Sequence, residues 1–159
     1  MAIKEGDRLP DATMHIMSDK GPKAVTTDDL FAGRKVVAFA VPGAFTPVCA
    51  QVHLPGYVAN ADKLKAKGVD SIVCISVNDA FVMDSWGKAQ NADELVMAAD
   101  GNGDFTQALG LEMDGRGFGL GTRSQRYAMI VDDGTVTALA VEAPGKIEVS
   151  TAEAMLGSL

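Results

Sequence analysis

Val36-Val37-Ala38-Phe39-Ala40-Val41-Pro42-Gly43-Ala44-Phe45-Thr46-Pro47-Val48-Cys49 is the stretch on which the reading of this chain turns. Its first six residues are all apolar, which predicts a strand covered on both faces. Thr46-Pro47 predicts a helix start, because threonine suits the N-cap and proline the first helical position. That helix is expected to run to Lys65, Lys67 and Gly68, with a kink at Pro55-Gly56. Ser71 to Val77 (SIVCISV) reads as a second buried strand. Strand, helix and strand at this spacing make a βαβ unit with parallel strands.

Downstream, a helix is expected from Asp79 to about Gln90, a short strand near Leu95-Val96-Met97 and a helix over residues 104–109. Arg126 to Val131 and Thr135 to Val141 flank Asp133-Gly134, a strong two-residue hairpin signal. A last helix is expected over residues 151–156. Helices around a small mixed sheet fit this order.

The chain has 159 residues, 47% of them hydrophobic and 22% charged, which suits one folded domain over residues 1–159. A net charge of −7 argues against nucleic acid and against an anionic membrane surface. The longest apolar run, Val36 to Phe45, is broken by Pro42 and Gly43 and is too short to span a bilayer. The charged start Met1 to Arg8 lacks the apolar stretch of a signal peptide, so a cytoplasmic location is expected. The two cysteines, Cys49 and Cys74, form neither a CxxC pair nor a disulfide framework.

If Thr46 is the N-cap, Cys49 is the third helical residue. A sulfur there meets amide N–H groups that lack acceptors, and their partial charge favours the thiolate, the nucleophilic form. Side chains lean toward a helix N-terminus, so Cys49 is expected to point back at Thr46. The Thr46 hydroxyl would then bond both sulfur and a substrate oxygen, and Pro42 would shield the pocket from water. The competing reading is a buried structural cysteine, the commoner fate of a free thiol.

PGAFTPVC resembles the peroxiredoxin motif PxxxTxxC, with Pro42, Thr46 and Cys49 in the fixed positions. In its longer form it is similar to the atypical type II, or peroxiredoxin-five, subfamily. The similarity continues through His53 to Tyr57, Ser76 to Val82, Trp86-Gly87 and Arg123 to Tyr127. The resemblance implies a thioredoxin-like α/β fold with a mixed central sheet flanked by helices. It also implies reduction of hydrogen peroxide and small alkyl hydroperoxides, with no metal and no prosthetic group. It makes Arg126 the catalytic arginine, a role suited to a permanently charged fork of donors. Arg123 is the nearby alternative, which would otherwise buttress the loop. A homodimer is implied in which the Trp86 region and the active-site loops meet; Trp86 itself reads equally as core or interface.

Some relatives carry a second, resolving cysteine near the C-terminus. Here the segment Glu142 to Ala154 has none, and Ser150 stands about where it would be. Cys74 sits mid-strand in an apolar run and reads as buried. A one-cysteine enzyme is therefore expected, recycled by an external thiol: glutathione with or without glutaredoxin, with thioredoxin as the second candidate. The alternative from another class is a redox sensor without turnover.

Three features are set aside. His53, four residues after Cys49, reads as a structural or supporting residue. Asp100 to Asp104 opens like a calcium loop but has Phe105 and Leu111 where glycine and glutamate are required, so it reads as a turn and helix cap. Gly115 to Gly121 lacks any nucleotide-binding register and reads as a loop leading to Arg126, with Phe118 a candidate for the pocket mouth.

Overall fold

The computed structural model describes residues 2–159. An inner strand of its sheet is β3 (Lys35–Val41), whose unbroken apolar run is buried from Val36 to Val41. Alternation divides that run between two cores. Val37, Phe39 and Val41 face one cluster, and Val36, Ala38 and Ala40 face the other. β3 pairs in parallel with β4 (Ser71–Ser76), and β4 in parallel with β5 (Val96–Ala99). On its other edge β3 pairs antiparallel with β8 (Tyr127–Asp132), which turns into β9 (Thr135–Val141). Asp133 and Gly134 make the turn with φ of 47° and 79°. Both lie in the left-handed region, as a two-residue hairpin of the favoured twist demands.

An N-terminal hairpin, β1 (Thr13–Ser18) and β2 (Gly21–Thr26), completes a seven-stranded mixed sheet in the order β2-β1-β5-β4-β3-β8-β9. Sequence patterning had not suggested this hairpin. Most of its residues are exposed or half-buried, so its apolar alternation is weak. β6 (Glu112–Asp114) and β7 (Thr122–Ser124) form a separate two-stranded ribbon.

Helices cover both faces. α2 (Leu54–Ala66), α3 (Ala80–Ala89) and α5 (Ala152–Gly157) pack on the Phe39 side, with Leu54, Tyr57, Met83, Trp86 and Met155 buried there. α1 (Thr27–Phe31) and α4 (Asp104–Leu109) cover the other side with Leu30, Phe31, Phe105 and Leu109. This is the expected thioredoxin-like mixed α/β sheet flanked by helices. Trp86 is fully buried within the chain, so of its two readings the core one holds. Asp79 caps α3 by accepting from the Val82 amide at 2.8 Å. Buried Asp100 accepts from the Phe105 and Thr106 amides and the Thr106 hydroxyl, the turn-and-cap role assigned to that segment.

Two expectations need correction. The short strand begins at Val96, one residue later than expected, and runs to Ala99. The kink at Pro55-Gly56 is instead a π turn just upstream, Cys49–His53, in which the Leu54 amide bonds the Cys49 carbonyl. Pro55 has no N–H to give to the ladder, and the helix absorbs that defect as one wide turn.

Candidate active site

The helix begins at Pro47, one residue after the Ala44-Phe45 turn, and its first internal bond runs from the Ala50 amide to the Thr46 carbonyl at 2.8 Å. Cys49 is thus the third helical residue, as the cap signals predict. Phe45 makes the entry turn at φ 63°, an unfavourable conformation for a bulky side chain, and is 54% exposed. Cys49 itself is 1% exposed.

Arg126 reaches this sulfur from the other end of the chain. In β8, Ala128 and Ile130 face the Phe39 core, and Arg126, two residues earlier, falls on the same side. Its Nη2 donates to Cys49 Sγ at 3.1 Å, and its Nη1 contacts His53 Nδ1 at 2.9 Å. A guanidinium in this place stabilises negative charge on sulfur. The sequence joined Arg126 to the site by resemblance alone; the antiparallel pairing of β8 with β3 is what carries it there.

The expected bond from Thr46 to the sulfur is not formed. Its hydroxyl donates to the Gly43 carbonyl at 2.7 Å, and Cys49 Sγ is bonded by Arg126 instead. With its proton so engaged, the Thr46 oxygen is left as an acceptor. Pro42 is half-buried and lines the cavity beside Arg126, and its carbonyl accepts from Arg123 Nη1 at 3.1 Å. Arg123 also donates through Nε to the Leu120 carbonyl at 3.0 Å. It therefore ties the Gly115–Gly121 loop to the Pro42 turn, the buttressing alternative. Gly43 leaves room for this contact, because a Cβ would lie 2.8 Å from Arg123 Nη1 and 3.0 Å from Thr46 Cγ2 and would displace the guanidinium.

His53 was seen in the sequence only as a supporting residue, and nothing local marked its partners. It is 1% exposed, its ring centroid 4.9 Å from that of Phe39, which stacks on Tyr57 at 3.9 Å. Burial above all, and then the Arg126 charge, lower its pKa to about 4, against the pull of the Ser150 carbonyl. No local sequence pattern marks Glu142. Burial would raise its carboxyl, but hydrogen bonds from Ser150, Glu148 and Val149 outweigh that and hold it below its usual value. Cys74 is wholly buried in β4, and desolvation pushes its thiol up.

A cavity of about 520 Å³ opens beside Arg126. Pro42, Val48, Met113 and Pro144 form its apolar walls, and Glu142 and Lys146 add charge. Phe118 is not among its lining residues; at 88% exposed it stands on the outer surface. No cluster of three or more His, Cys, Asp or Glu side chains suited to a metal occurs among the described residues.

Residues 4–156 match the Redoxin family. Peroxiredoxin-2E, chloroplastic, of Arabidopsis thaliana is 50% identical over 163 residues, covering 99% of this chain and 70% of that protein. Peroxiredoxin-2B of the same plant is 45% identical over 159 residues, covering 99% and 98%. Reduced Prx3 of Vibrio vulnificus, solved in complex with H2O2, superposes with a TM-score of 0.95 at 60% identity over 98% of each chain. On these matches the chain belongs to the Redoxin family and, within it, to the peroxiredoxins.

Proposed function

We propose that this peroxiredoxin reduces hydrogen peroxide and small alkyl hydroperoxides through a Cys49 sulfenic acid that an external thiol recycles. The observation that carries the reading is the 3.1 Å bond from Arg126 to a cysteine at the third residue of its helix. The thiolate attacks the terminal peroxide oxygen. An S–O bond forms with the sulfur pair, the O–O bond breaks, and the departing oxygen takes a proton to leave as water or alcohol. Arg126 stabilises charge on sulfur and on the leaving oxygen, Thr46 accepts from the peroxide O–H, and Pro42 keeps bulk water out. A first reducing thiol then displaces water to make a mixed disulfide. A second thiol releases Cys49 and leaves as the oxidised pair.

The external reductant is glutathione, with or without glutaredoxin, rather than an internal cysteine. In support, the segment Glu142 to Ala154 holds no cysteine, and Cys74 is fully buried with a raised thiol. No prosthetic group enters any step. The enzyme is a homodimer: the active-site turn and α3 expose Phe45 and Phe81, at 54% and 64%. The test compares peroxide consumption by wild type and Cys49→Ser with glutathione, glutaredoxin and thioredoxin supplied in parallel. Loss in the variant and sustained turnover with the glutathione systems are expected. One oxidation per chain without recycling by any of them overturns the proposal.

A further inference from the structure

His53 and Glu142 are both buried, and neither has a part in the steps above. We propose that they are positioning residues which, through Ser150, hold the Arg126 guanidinium on Cys49. A guanidinium has donors only. His53 Nδ1, 2.9 Å from Arg126 Nη1, is therefore the acceptor, and the neutral ring carries its proton on Nε2. Nε2 lies 2.9 Å from the Ser150 carbonyl and donates to it. That carbonyl takes a second bond from the Tyr57 hydroxyl at 2.8 Å. Ser150 is fixed in turn by Glu142. A single carboxylate oxygen, Oε2, accepts the amides of Glu148, Val149 and Ser150 at 2.8 Å each and the Ser150 hydroxyl at 2.7 Å.

The line thus runs from Glu142 to the 148–150 turn, to His53, to Arg126 and to sulfur. Each link sets the direction of the next. Arg126 is half-buried and lines the open cavity, so one bond to sulfur leaves the guanidinium room to swing. Two bonds, Nη1 to His53 and Nη2 to Cys49, fix its plane.

This inference rests on Arg126 being the charge partner of Cys49, and one set of variants separates the two. The readout is the second-order rate of Cys49 oxidation by hydrogen peroxide, followed in single turnover by intact mass. Circular dichroism checks that each variant is folded. His53→Leu is expected to slow oxidation tenfold or more. His53→Asn, which keeps an oxygen near the Nδ1 position, recovers most of that rate. Glu142→Ala slows oxidation threefold or more and carries the test alone where His53→Leu does not fold. In an Arg126→Met background neither change alters the rate by more than twofold, because there is no fork left to aim. A wild-type rate in folded His53→Leu and Glu142→Ala, beside a slow Arg126→Met, overturns the positioning role alone. Equal losses in both backgrounds also overturn it and assign the two residues a merely structural role. A wild-type rate in Arg126→Met sinks the underlying reading of the site.

Discussion

Acid should weaken this fold through His53, before the carboxylates contribute. His53 titrates at about 4 in the folded chain, against about 6.5 in an unfolded one. Its folded value is depressed, so the neutral ring stabilises the fold fully above pH 6.5. That contribution drains away as the pH falls toward 4, where the unfolded chain takes up the proton and the folded one resists it. Between pH 7 and pH 4.5 the two titration curves differ by about 2 kcal/mol. Against a usual domain stability of 5–15 kcal/mol that is a large share. Glu142, also depressed, pulls the same way at lower pH, so wild type alone cannot isolate the histidine. Urea unfolding of wild type and His53→Leu at both pH values does so. The wild type is expected to lose about 2 kcal/mol more than the variant over that interval. Parallel losses in the two proteins would refute the argument, since they would put the proton elsewhere.

Cys74→Ala should keep peroxide turnover, because the thiol is buried and takes no part, while costing about 1–2 kcal/mol of stability for the cavity left in β4; steady-state assays and a urea melt check both. Gly43→Ala should push Arg123 off the Pro42 carbonyl, lowering stability by about 1–3 kcal/mol and slowing Cys49 oxidation; thermal melts with the single-turnover rate read the two effects. Phe81→Glu should shift a dimer to monomer in sedimentation, since it charges the most exposed apolar side chain of α3.

How far the sequence could be read varied with the range of the interaction. The strand from Val36 to Val41, the start at Pro47, the helix after Asp79 and the Asp133-Gly134 turn were all legible, because each depends on residues a few positions apart. The β1–β2 hairpin was not, since a mostly exposed ribbon shows little apolar alternation. The Pro55 defect was legible as a defect, but its form was not. Whether a helix kinks or widens depends on what packs against it, here Phe39 on His53 and Tyr57.

The amino-acid order alone determined that a cysteine would stand at the third residue of a helix leaving a buried strand. Cap, proline and apolar run act along the backbone within one or two turns. Tertiary structure alone decided what faces that sulfur. Arg126 lies 77 positions from Cys49, and the His53–Ser150 bond closes a separation of 97. Those meetings depend on β8 pairing antiparallel with β3 and on Glu142 gathering the 148–150 turn. A side chain's distant partner is chosen by which neighbours the register of the sheet and the helix packing bring within hydrogen-bond reach, and no local pattern encodes that meeting.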